Sequence, residues 1–189
     1  LGLDGAAGPR DGGVDPEDSG TDAGPPPPPP LQLSRKLLGE ADRYEAAMMQ
    51  TSGSGVRGAL STWGASGFVV PTFTTNSAGY TLLAYRSEGS EQTYETRFTQ
   101  TSGSGLRSTI SAWAGEGFVV TAMVTNSAGY TFVAVRPAGS TAPQAARMTQ
   151  HSGSSLRSGV QGWAADGFFV NAMVTNSAGY TVLGFDSSP

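Results

Sequence analysis

The apolar positions of residues 41–189 recur every 50 residues, and a helical period is present in each copy. In the middle copy, apolar residues stand at i, i+4 and i+7, at Leu106, Ile110 and Trp113. This spacing predicts one face of a helix of about three turns. Gly117 follows, where a left-handed residue commonly ends a helix. The other copies repeat the pattern at Val56, Leu60, Trp63 and Gly67, and at Leu156, Val160, Trp163 and Gly167.

Three further segments of each copy are predicted to be strands. In the middle copy, residues 94–100 precede the helix, and residues 118–125 follow it with many β-branched and aromatic side chains. Residues 126–129 then form a hairpin turn, and residues 130–136 return as the last strand. Each copy is therefore predicted to be β-α-β-β, which gives about nine strands and three helices in all.

A 50-residue period marks an array of supersecondary units that bury their apolar faces against one another. We therefore predict an α+β fold of three tandem β-α-β-β repeats, 41–90, 91–140 and 141–189. The array is expected either to close into a pseudo-threefold ring or to remain a short open row, and the equal spacing favours the ring. Residues 31–40 are expected to connect or cap the array.

Residues 1–30 differ from the repeats and are predicted to form an acidic, polyproline stalk. Their six acidic residues and one arginine give a net charge of −5, whereas the rest of the chain carries +1. Residues 25–30 are consecutive prolines, as in a polyproline II rod. The acidic stretch 11–22 lacks the spacing of an EF-hand calcium loop, so we interpret it as a solvated linker. Residues 1–40 are expected to bind a second copy or another surface protein.

The remaining composition argues against several functional classes. Charged residues make up 14% of the chain, and the repeats have no basic surplus with which to bind nucleic acid. There is no cysteine, hence no disulfide and no thiolate metal site. No apolar run approaches the roughly 20 residues of a membrane-spanning helix. A surface of Ser, Thr, Asn, Gln and Gly is commoner in extracellular proteins, so we expect an extracellular or outer-surface location.

Catalytic residues are not predicted. His151 is the only histidine, and threonine stands at its place in the other repeats. Glu95, Glu116 and Asp166 do not form one carboxylate set that recurs in all three repeats, as a repeated glycosidase site would require. A Ser-His-acid set is not indicated. We therefore expect a non-enzymatic protein without cofactor or metal.

The first candidate binding motif is a Ser-Gly-Ser loop, whose serines can serve as N-caps, followed by an arginine in the first turn of each predicted helix. Because arginine there opposes the helix dipole, another interaction is expected to favour it. The arginine either donates to backbone carbonyls of the adjacent repeat, pairs with a carboxylate, or helps the helix amides to hold an anion such as an acidic glycan. The residues are Ser52, Ser54, Arg57, Ser102, Ser104, Arg107, Ser152, Ser154 and Arg157.

The second candidate motif is the identical hairpin sequence Asn-Ser-Ala-Gly. A hairpin turn with glycine at positive φ explains it structurally, although three identical loops also suit a threefold ligand surface. The three tryptophans raise a similar choice between core packing and carbohydrate stacking, and their helical spacing favours the core. The polar loop residues are Asn76, Ser77, Asn126, Ser127, Asn176 and Ser177.

The order of these motifs resembles a bacterial tandem-repeat domain found beside the catalytic domain of secreted serine hydrolases such as polyglycine hydrolases. The resemblance is carried by the segments 63–68, 113–118 and 163–168, each of which runs from the tryptophan to a Gly-Phe pair and is followed by Asn-Ser-Ala-Gly-Tyr. It covers residues 41–189. No catalytic residue is implied, because the chain contains no hydrolase domain. Residues 1–30 resemble the stalks of bacterial lipoproteins and secreted proteins.

These observations together predict a secreted or surface-attached structural or adhesive repeat protein that works by protein–protein contact. A subunit of an extracellular filament or layer is the form of this hypothesis that the stalk favours. The alternative is a lectin-like binding module with three equivalent loop sites.

Overall fold

The computed structural model describes residues 37, 38, 41 and 43–186. Three helices and nine strands lie in this part of the chain, which confirms the α+β class. The predicted stalk lies outside the described residues, as does most of the segment 31–40. The elements are β1 (Tyr44–Thr51), α1 (Gly53–Ala65), β2 (Val69–Asn76), β3 (Gly79–Ser87), β4 (Tyr94–Thr101), α2 (Gly103–Gly115), β5 (Val119–Asn126), β6 (Gly129–Pro137), β7 (Ala146–His151), α3 (Gly153–Ala165), β8 (Phe168–Asn176) and β9 (Gly179–Asp186).

Each repeat forms its own three-stranded antiparallel sheet, in the orders β1-β3-β2, β4-β6-β5 and β7-β9-β8. The last strand of each repeat therefore lies between the other two. The first and second strands are parallel, and the helix connects them across the last strand. The register is equivalent in the three sheets, with Tyr80, Tyr130 and Tyr180 opposite Thr51, Thr101 and His151.

Glycines end the helices and close the hairpins as predicted. Gly67, Gly117 and Gly167 have φ of 80°, 89° and 82°, the left-handed values expected after a helix. In the hairpins the Asn76, Asn126 and Asn176 side chains each accept a hydrogen bond from the backbone N–H two residues later. This local bond shapes the turn before any tertiary contact is made.

The three sheets follow one another in a row. Strand β2 packs against β5, and β5 packs against β8, while α1 and α2 pack against the first strand of the repeat that follows each of them. The core is densest in the middle repeat, where Phe118 and Phe132 are buried. Helix α3 has no buried residue, and Met48 on β1 is 74% exposed. These contacts fit the short open row and not the expected ring, which would also cover α3 and β1.

The register of each sheet shifts at one position of its second strand, and this position serves the contact between repeats. The shifts fall between Val69 and Thr72, between Val120 and Ala122, and between Val170 and Ala172. At the second shift, the Thr121 hydroxyl donates to the Val70 carbonyl oxygen at 2.6 Å. At the third, the Asn171 amide donates to the Val120 carbonyl oxygen at 3.2 Å. Pro71 occupies the equivalent place in the first repeat and has no side-chain donor.

Residues 37 and 38 lie beside the boundary between the first and second repeats. Leu37 is buried in the core cluster, and its carbonyl oxygen accepts a hydrogen bond from the Tyr94 hydroxyl. The Leu38 carbonyl oxygen accepts a bond from the Ser87 hydroxyl. In the described part of the chain, no helix has the length and apolar character needed to cross a membrane.

Candidate functional site

The Ser-Gly-Ser segments are the beginnings of the helices and not the loops that the sequence predicted. Ser52, Ser102 and Ser152 are the N-cap residues, with extended backbone, but their side chains make no capping bond. Their hydroxyls instead contact the hydroxyls of Ser54, Ser104 and Ser154 at 3.0–3.1 Å. All six serines are exposed. The helices begin at Gly53, Gly103 and Gly153, and the hydroxyl pairs face solvent.

The early start of the helices changes the interpretation of the three arginines. Arg57 is the fifth residue of α1, so it lies in the second turn and not in the first. Opposition to the helix dipole falls off within the first turn, so the dipole does not demand a special partner there. The three arginines are equivalent in sequence, but they lie in three different environments.

Arg107 connects the second repeat to the third. Its Nη2 donates to the Met148 carbonyl oxygen at 3.0 Å, from α2 across to β7. This is the structural role proposed for the motif from the sequence. Arg157, the equivalent residue of α3, is exposed, and the main contacts of its helix are with the strands of its own repeat. Arg57 is also exposed, and it lines a cleft between the first two repeats.

A cleft lies beside Arg57 at the boundary between the first two repeats. Its volume is about 250 Å³, and α1, β4 and α2 form its walls. Arg57 and Arg97 supply two guanidinium groups, while Phe98 and Trp113 supply aromatic faces. A cation such as Arg57 beside aromatic rings can hold an acidic group attached to an apolar or sugar-like body, whereas the Arg97 guanidinium is already paired with Glu116. The lining residues are Arg57, Leu60, Ser61, Thr96, Arg97, Phe98 and Trp113.

The corresponding position between the second and third repeats has different chemistry. Ala146 and Met148 stand there in place of Thr96 and Phe98. The Arg107 guanidinium is directed to the backbone of β7, where it donates a hydrogen bond to the Met148 carbonyl oxygen. The structure therefore does not give the three predicted sites the same surroundings: the boundaries that Arg57 and Arg107 face differ in chemistry.

Clusters of arginine, phenylalanine and carboxylate were missed by sequence reasoning. The guanidinium carbons of Arg97 and Arg136 lie 4.1 Å and 4.5 Å from the ring centre of Phe118. Arg136 is also paired with Glu95 at 2.7 Å, and Arg97 is paired with Glu116. Hydrogen bonds from these arginines lower the pKa of both carboxyls. The signal that could have revealed them was the 50-residue spacing of Arg86 and Arg136, of Arg97 and Arg147, and of the phenylalanines.

The clusters stabilise the fold. Each carboxylate is matched to a guanidinium, and each guanidinium lies over a phenylalanine, as Arg86 does over Phe68 and Arg147 over Phe168. Such pairing at the surface contributes modestly to stability.

His151 fills space inside the third repeat. Its ring lies edge-on to Trp163, with centroids 6.5 Å apart. A Cβ added at Gly159 would lie 2.9 Å from Nδ1 of the histidine and closer still to other ring atoms. Thr101 and Thr109 stand at these two places in the second repeat, so the larger ring of His151 is matched by the smaller residue at 159. His151 therefore has a packing role in the third repeat.

The hairpin loops are at the rim of the row, with Ser77, Ser127 and Ser177 exposed at their tips. The asparagine side chains are occupied: besides the turn bonds, Gln100 donates to Asn126 at 3.2 Å and Gln150 to Asn176 at 3.3 Å. Tyr130 and Thr181 share a further hydroxyl contact of 2.9 Å between repeats. In every copy, the asparagine of the loop motif therefore makes a hydrogen bond that shapes the hairpin.

Metal chemistry has no candidate in the part of the chain that the structure describes, since no three residues of the types His, Cys, Asp and Glu come together there. No protein-family model, no curated protein and no solved structure matches this chain. The resemblance to the repeats of secreted serine hydrolases therefore stays a prediction.

Proposed function

We propose that this protein is a non-enzymatic structural or adhesive module, secreted or attached to the outer cell surface, that works by protein–protein contact. One observation carries the proposal. The large hydrophobic side chains that remain exposed among the described residues all lie on β1 and β8, strands of the two end repeats. They are Tyr44, Met48, Met49 and Met173. Tyr44 and Met48 share one face of β1, and exposed apolar groups that share a face are typical of interaction surfaces.

The interior of the row supports the same proposal. The motifs that recur every 50 residues serve contacts within and between repeats: Arg107 bonds Met148, Thr121 bonds Val70, and the asparagines shape the hairpins. The 50-residue spacing therefore repeats residues that hold each repeat together and join it to its neighbours. In this proposal, residues 1–40 link the domain to a second copy or to another surface protein.

The proposal is tested by locating the protein on intact cells. Antibodies raised against residues 41–189 should label non-permeabilised cells of the source organism, and chemical cross-linking of those cells should capture the chain in protein adducts. Labelling that requires permeabilisation would contradict the surface location. Surface labelling without any protein adduct would contradict the contact role.

A second candidate function is recognition of an acidic glycan, and the cleft between the first two repeats is the observation that favours it. Arg57 is available to a ligand there, beside Arg97 and Trp113. Arg57→Gln should abolish binding of the full chain to carboxylated or sulfated glycans on an array. Arg157→Gln is the matched control, because Arg157 is the equivalent, exposed residue of α3 and is not among the residues that line this cleft. Equal binding by wild type and Arg57→Gln would exclude the cleft.

A further inference from the structure

The two ends of the row are complementary to each other. At the boundary between the second and third repeats, α2 packs against β7, which carries Ala146 and Met148, and Arg107 donates to the Met148 carbonyl oxygen. Leu106, Ile110 and Ala114 are buried residues of the same helix. Helix α3 carries Leu156, Arg157, Val160 and Ala164 at the equivalent places, and β1 carries Ala46 and Met48. The free helix and the free strand therefore reproduce an interface that the molecule already forms internally.

Burial shows that no described element covers these two surfaces. Leu106, Ile110 and Ala114 are 1–3% exposed on α2, whereas Leu156 and Val160 on α3 are half-buried and Ala164 is exposed. Met148 is half-buried, but Met48 is 74% exposed. Met173 on β8 is 50% exposed, while the equivalent Met123, which β8 covers, is 7% exposed. Solenoid-type arrays normally end in repeats with polar outer faces, whereas the outer faces of β1 and β8 in the described part of this row expose methionines.

We propose that the occupant of both faces is a second copy of this chain, bound head to tail, with α3 of one molecule against β1 of the next. This inference rests on the proposed contact function and names its partner. Arg157 would then donate to the Met48 carbonyl oxygen, as Arg107 donates to that of Met148. A heterologous contact of this kind does not close a pair, so it continues into a filament or a larger ring.

The charges at the junction suit this arrangement. In the internal interfaces, Arg57 shares the first cleft with Arg97, and Arg147 follows at the equivalent place in the third repeat. On β1 the corresponding residue is Ala47. Arg157 would therefore approach β1 without a like charge opposite it, which removes a repulsion present at the first internal boundary.

One feature makes the junction weaker than the internal interfaces. Thr121 and Asn171 each donate a side-chain hydrogen bond to the preceding repeat, but Pro71 cannot donate to Val170 of a neighbouring molecule. The junction therefore lacks one hydrogen bond that both internal boundaries have. We expect an association that depends on concentration and reverses on dilution.

The test uses two full-length variants, each blocked at one end. Met48→Arg blocks the strand face, and Val160→Arg blocks the helix face. Light scattering coupled to size exclusion should give concentration-dependent oligomers for wild type and the monomer mass for each variant alone. An equimolar mixture of the two variants should give a one-to-one dimer and nothing larger, because each variant retains the face that the other lacks.

Matched controls place the same charge on surfaces exposed in all three repeats. Gln50→Arg lies on β1, and Ser158→Arg lies on α3; Gln100, Gln150 and Ser108 are likewise exposed. Both controls should assemble as wild type does. Circular dichroism and the melting temperature should show that all four variants are folded.

The remaining outcomes overturn the inference. Assembly of both blocked variants as in wild type would mean that the contact lies elsewhere, for instance on residues 1–40. Dimerisation of Met48→Arg alone would indicate a symmetric helix-to-helix contact. A monomeric wild type at all concentrations would exclude self-association, and if cross-linked adducts with other proteins were still found on cells, the proposed contact function would survive.

Discussion

Gly129 closes the second hairpin with a φ of 119°, a conformation that side chains with a Cβ rarely adopt. A Cβ at this position would also lie 3.1 Å from the carbonyl carbon of Thr101 and closer still to its oxygen. The positive φ and the close contact with Thr101 both involve backbone, which cannot move aside without breaking the pairing of β4 with β6.

Replacing Gly129 by Ala should therefore lower the free energy of unfolding by more than about 1 kcal/mol. Urea denaturation measures this change. Gly115→Ala is the control, because a Cβ there meets nothing within 4 Å and alanine is the better helix residue. An equal loss at both positions would contradict the turn geometry.

Tyr94 is a second residue whose surroundings make a measurable prediction. Burial raises the pKa of its hydroxyl to about 12. The unfolded chain releases this proton near pH 10 while the folded chain keeps it, so stability is fully present below about pH 10 and is lost as pH rises towards 12. The loss should be visible as a fall in melting temperature over that range.

Tyr94→Phe should flatten this part of the stability profile, because phenylalanine has no proton to release. Tyr44→Phe alters the equivalent residue of the first repeat, which is 44% exposed, and should leave the profile as in wild type. If both variants had the same profile above pH 10, Tyr94 would not be the responsible group.

At the scale of elements, the three helices have nearly the same sequence pattern but unequal support. Trp113 on α2 lies edge-on to Phe132, with ring centres 5.1 Å apart, and α2 is covered by β7. Trp163 is on α3, which has no buried residue. The sequence alone makes the two tryptophans equivalent.

Trp113→Ala should lower the free energy of unfolding by about 3–5 kcal/mol, as for a large packed aromatic. Trp163→Ala should cost clearly less, because the outer side of its helix is already in contact with solvent. Thermal unfolding of the two variants in parallel provides the comparison. Similar costs would indicate that α3 is covered in solution, and the comparison is therefore best made at low protein concentration.

The elements were largely predictable, because their signals are local. The spacing of Leu106, Ile110 and Trp113 indicated α2, and the Asn126–Gly129 turn indicated the hairpin of β5 and β6. The start of each helix was misjudged, because Ser and Gly residues favour loops in general, whereas here Gly103 to Gly105 continue into helical backbone. The tertiary position of the segment after β4 determines where the helix begins, and amino-acid composition does not encode that position.

The candidate site was less predictable than the elements. Arg57, Arg107 and Arg157 occupy equivalent positions in similar segments, and their different surroundings depend on what packs against each helix, including whether Phe98 or Met148 lies opposite. The clusters around Phe118 join residues from three parts of one repeat, Arg97, Glu116 and Arg136. Such sets become visible only when the order of strands in the sheet is known.

At the scale of the whole molecule, a row of repeats should not be equally stable along its length. In such arrays, stability is approximately a sum of terms for single repeats and for nearest-neighbour interfaces. The middle repeat has two interfaces and each end repeat has one.

Native-state hydrogen exchange should therefore be slowest in β5 and β6 and fastest in α3 and β1. Peptide-resolved mass spectrometry measures the order directly. Protection of α3 equal to that of α2 in dilute solution would argue against an open end at this helix.

The exposed methionines of the end faces also make the row sensitive to oxidants. Conversion of a methionine thioether to the sulfoxide replaces an apolar group by a polar one and is reversible by reductases. Limited peroxide treatment should oxidise Met48 and Met173 before Met123, which is buried beneath β8, and tryptic mass mapping resolves the order. Because the first two lie at opposite ends of the row, a mild oxidant would make both ends polar while leaving the three repeats folded between them.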